Sequence, residues 1–200
     1  SFAGGAALDQ LHAHGVAQAK PLYCSVDPDR YHPMDVEIRW DLGYLGTYSP
    51  DRQPGLEAFL LEPARRLPEC RFVVAGAQFP DDIDWPENVE RIEHIAPPDH
   101  AAFYCAQRFT LNLTRAAMRS IGHSPSVRLF EAAACGTAIL SDSWPGIEEV
   151  LPPREAVLLV ERTEDIVAAL TMPRETRLSL AQAARETVLT HHSGAARARE

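Results

Sequence analysis

The sequence predicts an α/β fold in which a Rossmann-like, doubly wound parallel sheet is covered by helices. Short apolar runs of strand length alternate with helical stretches from Asp41 onward. Such alternation favours a parallel sheet with helices on both faces. The stretch 120–151 adds a loop, a helix, a tight stop, a strand and a second loop, an order typical of α/β nucleotide sites. Ligands of these sheets bind at the carboxyl ends of the strands, so we expect a site there.

The elements follow in order from the apolar pattern. A helix over 6–14 comes first, then a strand over 21–24 and a proline-containing connector over 25–33. The predicted strands of the main domain are 42–45, 71–75, 89–92, 109–113, 137–140 and 156–160. The predicted helices are 54–67, 98–107, 125–135, 164–170 and 173–190. The polar character of residues 191–200 indicates a flexible tail.

The helix in the central stretch has recognisable ends. Ser124 is a candidate cap and Pro125 a favourable first helical residue, because proline loses no helical hydrogen bond there. Gly136 supplies a left-handed stop. The following residues Thr137–Leu140 have the apolar character of a buried strand.

The start of this helix is suited to an anion. Its free amides, the hydroxyls of Ser124 and Ser126 and the guanidinium of Arg128 all favour a bound phosphate. Glu131 lies about one turn further on, where a carboxylate can accept from a sugar hydroxyl. The alternative is an ordinary amphipathic helix in which Arg128 and Glu131 pair across one turn.

A second candidate site is the loop YLGTYSPDRQPG after the first main-domain strand. Gly46 allows the backbone to approach a ligand closely, and Arg52 offers a planar fork for a diphosphate. The alternative for Arg52 is a solvated loop charge beside Asp51. Gly76, which ends the next strand, is a weaker signal because glycines often end strands.

Composition excludes several classes of protein. The net charge of -9 and the pI near 5.4 argue against a nucleic-acid surface. No apolar run approaches the ~20 residues of a membrane span, and no signal peptide is evident. Lys20 is the only lysine, which excludes a Walker-type phosphate loop. The chain opens on Ser1 rather than Met, so we expect a piece of a longer protein.

The candidate metal and nucleophile motifs are poor. Two Asp-x-Asp matches, 27–29 and 82–84, lie in a turn and in an acidic loop, and the histidine pairs near the two ends have no spaced partners. The sequence 122–126 lacks the last glycine of a nucleophile elbow. Four cysteines without a CxxC pair indicate free thiols in a reducing cytoplasm. We therefore predict no metal site and no cofactor.

The central stretch resembles the donor-binding segment of GT-B glycosyltransferases. Glu131 through Gly136, EAAACG, matches the core of that family's glutamate motif, and Gly146 through Glu149, GIEE, matches its following loop. More narrowly, SPSVRLFEAAACG resembles the CgeB-like (spore-maturation-like) branch. The resemblance implies the C-terminal half of a GT-B fold: residues 1–36 end the N-terminal domain and form the connector, and residues 37–190 bind a nucleotide sugar.

The residue pattern and the resemblance together give a set of site residues. The positions expected near the donor phosphates are Gly46, Thr47, Arg52, Arg115, Ser124, Ser126 and Arg128. The positions expected near the ribose and the sugar are Glu131 and His123. The positions expected near the nucleobase are Gly76, His94 and Ile95.

Two of these positions depart from the family pattern, and a third matches it. Thr47 stands where the family often has arginine, and Arg115 or Arg128 is expected to replace that charge. Arg52 stands at the family's lysine position. His123 occupies the place of a second glutamate, which in the family usually contacts the transferred sugar.

The resemblance implies metal-independent transfer of a sugar from a nucleotide sugar to an unidentified acceptor. The acceptor-side catalytic group of this superfamily normally lies in the N-terminal domain, so the chain alone is expected to be inactive. Two alternatives remain open: a GT-B-type sugar-nucleotide epimerase, and a non-catalytic domain that binds a nucleotide or a protein partner. The sequence leaves the sugar, the base, the general base and the oligomeric state open.

Overall fold

The computed structural model describes residues 3–199, and across them six strands form one parallel sheet in the order β3-β2-β1-β4-β5-β6. The strands are β1 Trp40–Leu45, β2 Phe72–Ala75, β3 Val89–Ile92, β4 Gln107–Asn112, β5 Ala138–Ser141 and β6 Leu158–Leu159. This confirms the predicted α/β class and its parallel sheet. The predicted strand over 21–24 is not formed, because that segment has no neighbouring strand to pair with.

Helices follow most strands. They are α1 Ala6–Ala13, α2 Gln53–Leu56, α3 Glu62–Arg66, α4 His100–Cys105, α5 Ala116–Ile121, α6 Val127–Ala134, α7 Ile147–Val150, α8 Thr163–Thr171, α9 Arg174–His191 and α10 Gly194–Arg197. A 3₁₀ turn over Pro97–Asp99 precedes α4. No helix among residues 3–199 is both long and apolar enough to cross a membrane.

The predicted helix over 54–67 is present but is divided by a wider turn. A π-helical segment, Glu57–Leu61, lies between α2 and α3. Pro63 follows this segment and has no N–H to donate, so a regular α ladder cannot run through it. The helix still presents Leu56, Leu60 and Leu61 to the sheet, all of them buried.

The order of the strands reverses between β1 and β4. Leu42 of β1 is in register with Phe72 of β2 on one side and with Phe109 of β4 on the other. The chain first builds the sheet outward from β1 through β3 and then returns to place β4 beside β1. Crevices at such a reversal, outside the carboxyl ends of the strands, are where ligands bind in these sheets.

Two hydrophobic cores cover the two faces of the sheet. On one face, Phe130 of α6 and Val188 of α9 pack with Ile139 of β5. On the other, the α2–α3 helix and α8 pack on Phe72 and Phe109. Burial on both faces explains why the strands are continuous apolar runs rather than alternating ones.

The end of the chain differs from the predicted flexible tail over 191–200. Residues 191–197 complete α9 and form α10, and Ser193 pairs with Val26 of the connector. His192 is buried, its Nε2 lies 3.1 Å from the carbonyl of Val150, and its ring packs 5.2 Å from that of Phe130. An imidazole with a hydrogen-bond partner can be buried, which the polar character of the segment does not reveal.

Candidate functional site

A cleft of about 290 Å³ opens at the carboxyl end of the sheet, where the strand order reverses. The residues that line it include Gly46, Thr47, Gly76, His94, Ile95 and His100. The structure therefore brings together five positions that the sequence assigns to the phosphates and the nucleobase. His100 was not among them, and it holds the wall by placing its Nε2 3.2 Å from the carbonyl of Ile95.

Two glycines let the walls of the cleft meet. A Cβ on Gly76 would lie 2.0 Å from the carbonyl oxygen of Gly46, and Gly76 has a φ of 146°. A Cβ on Gly46 would lie 2.7 Å from the hydroxyl of Tyr44 and 2.9 Å from a nitrogen of Arg128. A larger residue at position 76 would push the loops after β1 and β2 apart, whereas one at position 46 would displace the ends of the Tyr44 and Arg128 side chains.

Arg91 fixes the Gly76 side of the cleft. Its guanidinium donates to the carbonyls of Val74 and Gly76 at 2.5 and 3.2 Å. The same group lies 4.3 Å from the ring centroids of both Phe79 and Trp85, within the range of cation–π contacts. Burial lowers the pKa of Arg91. The sequence gives no signal for this arrangement, since it depends on a loop folding back over the strand.

Three arginines gather beside the loop after β1. Arg52 donates to the carbonyl of Thr47, and its buried Nε has no partner among residues 3–199. Burial lowers the pKa of Arg52, and the nearby charges of Arg128 and Arg115 lower it further, although Tyr44 and Asp51 act in the opposite direction. The mutual effect of these charges marks a region of positive potential, which suits an anionic ligand.

Arg128 forms hydrogen bonds within the fold, in addition to contributing to this positive potential. It is 7% exposed, and it donates from Nε to the carbonyl of Leu45 at 2.8 Å and from a terminal nitrogen to Asn112 Oδ1 at 3.0 Å. It also lies over the ring of Tyr44 at 5.0 Å. The expected alternative, a pair between Arg128 and Glu131, is wrong, because these backbone and amide acceptors hold the guanidinium at the end of β1.

A buried polar network continues from Asn112. Its Nδ2 donates to Ser141 Oγ at 2.9 Å across the ends of β4 and β5. Next to it, the carboxylate of Asp142 accepts from the hydroxyl of Thr114 and from Arg119, both at 2.8 Å. Sequence reasoning missed this network. The available signal was that Asn112 and Asp142 each stand at the carboxyl end of a predicted strand.

The start of α6 differs from the prediction at Ser124. The helix begins at Val127, and Ser126 occupies the capping position with extended backbone but without a side-chain hydrogen bond. His123 causes the shift, because its φ of 44° and its N–H bond to the carbonyl of Pro145 at 2.6 Å keep the preceding loop outside the helix. The left-handed stop at Gly136 is confirmed by its φ of 74°.

His123 does not line the cleft. Its Nδ1 is 3.1 Å from a carboxylate oxygen of Glu149, in the loop after β5. Its carbonyl accepts from the backbone N–H of Gly4 at 2.9 Å, and its ring rests on Gly146. The backbone and side chain of His123 together therefore connect the segment before α1 with the Gly-x-x-Glu segment.

Glu131 is half-buried and held by tyrosines. The hydroxyl of Tyr104 donates to its Oε2 at 3.1 Å. Tyr31, from the connector, also faces this carboxylate. Burial raises the pKa of both tyrosines, and the hydrogen bond to Glu131 and its negative charge add to the increase.

Two of the phosphate candidates are exposed to solvent. They are Arg115, which precedes α5, and Thr47, in the loop after β1. No three His, Cys, Asp or Glu side chains in the range 3–199 gather as metal ligands. The four cysteines are free, and Cys135 is the buried one.

The reversed strand order and the cleft define the class: the fold is that of the C-terminal half of GT-B glycosyltransferases. Sucrose-phosphate synthase from Thermosynechococcus elongatus superposes with a TM-score of 0.73 at 17% identity, over 98% of this chain and 55% of that one. Anabaena Alr3699/HepE, solved in complex with UDP-glucose, gives 0.75 at 12% identity, over 98% of this chain and 60% of that one. The C-terminal domain of a group 1 glycosyl transferase, LpcC from Francisella tularensis, gives 0.64 at 18% identity, over 84% and 99%.

The sequence itself matches one family model. The model, described as glycosyl transferase-like, covers residues 52–200, and this chain belongs to that family. A comparison with curated proteins gives no match. The chain spans 55 to 60% of the length of the synthase and HepE, so it corresponds to one part of such proteins.

Proposed function

We propose that this chain is the donor-binding half of a glycosyltransferase, which transfers a sugar from a nucleotide sugar to an acceptor. The observation that carries the proposal is that Arg52 and Arg128 donate to the carbonyls of Thr47 and Leu45, two residues that line the cleft at the reversal of strand order. Family membership and the UDP-glucose complex of the similar HepE support it. The motif 124–136 favours the CgeB-like branch of the superfamily.

The chemistry is electrostatic. When the sugar leaves, the diphosphate gains negative charge, and arginines fixed near it stabilise that charge more in the transition state than in the ground state. Arg52 is proposed for direct contact, because it lies beside the loop after β1 and donates to a single backbone carbonyl, that of Thr47, while Arg128 is held by both Leu45 and Asn112. Since the arginines supply the positive charge, the proposal requires no metal.

The rest of the donor is assigned to neighbouring surfaces. The cleft by His94 and Ile95 is proposed for the nucleobase, and Glu131 is proposed to accept from the ribose hydroxyls. His123, next to Glu149, is proposed for the sugar side. The four free thiols favour a reducing cytoplasm as the location.

Nucleotide binding tests the proposal directly. Calorimetry with UDP, GDP and ADP is expected to give binding of at least one of them that is unchanged by EDTA. A matched control is Arg71→Ala, since Arg71 is exposed at the opposite end of the sheet. Binding that disappears with EDTA would overturn the metal-independent reading, and absence of binding to all three would overturn the proposal.

Turnover separates this proposal from its competitors. We expect the 200-residue chain to transfer no sugar by itself, because half of a two-domain cleft cannot position an acceptor or exclude water. The longer protein is expected to release free nucleoside diphosphate in the presence of donor and acceptor. An epimerase would yield an isomerised sugar nucleotide, and a non-catalytic domain would leave the donor intact.

A further inference from the structure

The carboxylate of Glu131 meets tyrosine hydroxyls from two other parts of the chain. Tyr104, in α4, donates to it at 3.1 Å, and Tyr31 reaches it from the connector. Both tyrosines are buried, at 1% and 7% exposure, whereas Glu131 is half-buried. A charged group between two buried hydroxyls and an open side has few orientations available.

These contacts leave part of the carboxylate available to a ligand. An ionised carboxylate has about four acceptor positions, of which the Tyr104 hydroxyl occupies one, with the Tyr31 hydroxyl close by. Glu131 is only partly buried, so part of its side chain remains exposed. The remaining acceptor positions suit a pair of neighbouring hydroxyl groups.

We propose that Tyr31 and Tyr104 are positioning residues that hold the Glu131 carboxylate as an acceptor for the ribose hydroxyls of the donor. This inference rests on the proposed function, and it adds two residues that lie outside the glutamate motif. Neither tyrosine touches the ligand in this arrangement. Each acts through Glu131.

Tyr31 also ties the ribose acceptor to the connector. The backbone of the connector turns at Asp27, whose carbonyl accepts from the N–H of Tyr31 at 2.9 Å. Further along, the carbonyl of His32 accepts from Cys105 Sγ at 3.5 Å, next to Tyr104 in α4. A change in the position of the connector therefore changes the donors that hold Glu131.

The test compares ribose with a sugar that lacks its hydroxyls. The 200-residue chain is titrated with UDP, GDP and ADP, and then with the 2′,3′-dideoxy form of the diphosphate that binds most tightly. The native chain is expected to prefer the ribose form by about tenfold, since the dideoxy form has no hydroxyl groups to donate to Glu131. Tyr104→Phe and Tyr31→Phe are each expected to reduce this preference to about threefold or less.

Two comparisons distinguish a positioning role of the tyrosines from a merely structural one. In a Glu131→Gln background, Tyr104→Phe should cause no further loss of ribose preference. Tyr23→Phe is the matched control, because Tyr23 faces Arg197 and Glu149 rather than Glu131, and it should keep the native preference. If Tyr104→Phe fails to fold by circular dichroism, Tyr31→Phe carries the test alone.

The outcomes are distinguishable. If Glu131→Gln loses the ribose preference while both tyrosine variants keep it, the positioning role is overturned and the proposed function stands. If Glu131→Gln itself keeps the preference, the ribose role of Glu131 and the positioning role are both overturned. If the native chain binds no diphosphate, the proposed function and this inference are overturned together.

Discussion

The two ends of the sheet hold arginines in opposite ways. At the carboxyl end, Arg128 is 7% exposed and is bonded to Leu45 and Asn112. At the amino end, Arg39 pairs with Glu90 at 3.4 Å, with side chains that are 56% and 44% exposed. Both arginines have protein partners. Their surroundings differ, because one is enclosed by other protein groups and the other stays in water.

The buried arginine is held in one position, whereas the exposed arginine is free to move. An exposed ion pair contributes little to stability, since water solvates both members when the pair opens. A buried guanidinium cannot move away without leaving buried carbonyl and amide groups unpaired. The carboxyl end therefore holds its positive potential in place before any ligand arrives, which is the condition for electrostatic catalysis.

The largest expected effect comes from removing the buried arginine. Arg128→Met should lower the free energy of unfolding by about 3 kcal/mol, because the Leu45 carbonyl and the Asn112 side chain lose their donor. The matched change at the other end, Arg39→Met, should alter it by less than about 0.5 kcal/mol. Urea denaturation followed by circular dichroism measures both. Equal losses would remove the distinction between the two ends.

Arg52 tests whether the fixed charge serves a ligand. Arg52→Ala should weaken binding of a nucleoside diphosphate by about 2 kcal/mol, the value of a hydrogen bond between charged groups. Binding of the bare nucleoside should not change, because it carries no phosphate. Calorimetry with both ligands decides the point, with Arg71→Ala as the control. An equal loss for both ligands would contradict a phosphate contact.

Glu131 should behave differently from Arg52. Glu131→Gln keeps the size of the side chain but weakens its charge-assisted bonds, and should lower the affinity for nucleoside and diphosphate alike by about 1 to 2 kcal/mol. The melting temperature should change little. Glu90→Gln, at the amino end, should leave both affinities intact. A loss confined to the diphosphate would place Glu131 near the phosphates instead.

The smallest effect at moderate pH concerns Tyr104. Its pKa is raised above 10.0 by burial and then by the charge of Glu131, against the opposing charge of Arg128; Tyr31 also contributes. The neutral hydroxyl is thus favoured in the folded state, and this stability, complete below pH 10, is lost as the pH rises through the folded pKa. Urea denaturation between about pH 8 and about pH 11 should show a smaller decline for Tyr104→Phe. If the native chain and Tyr104→Phe lose stability equally over this pH range, the prediction is wrong.

The fold was predictable because its signals are local. Apolar runs such as 72–75 and the stop at Gly136 report the structure of their own segments. The buried bonds of Arg128 join positions far apart in the sequence, so the helical spacing to Glu131 suggested a nearer partner. The start of α6 was missed for the same reason, because it depends on the contact between His123 and Pro145.

The glycines and loops of the candidate site could be predicted from the sequence. The residues that hold its side chains in position could not. Gly46, Gly76 and Ile95 do line one cleft, as strand ends in a parallel sheet should. Tyr31 gave no signal, since its partner lies in another helix. Whether the assigned residues bind the donor stays a prediction that the variants above test.

The bridge between Val26 and Ser193 affects when the fold can be completed during translation. The two residues pair although most of the chain separates them, and His192 next to Ser193 is buried against α6. During translation at about 5 to 20 residues per second, roughly ten to thirty seconds pass between the two. Until then the connector, with Tyr31, lacks its final partner. The contacts between the connector and Glu131 can therefore be completed only after residue 193 has been synthesised.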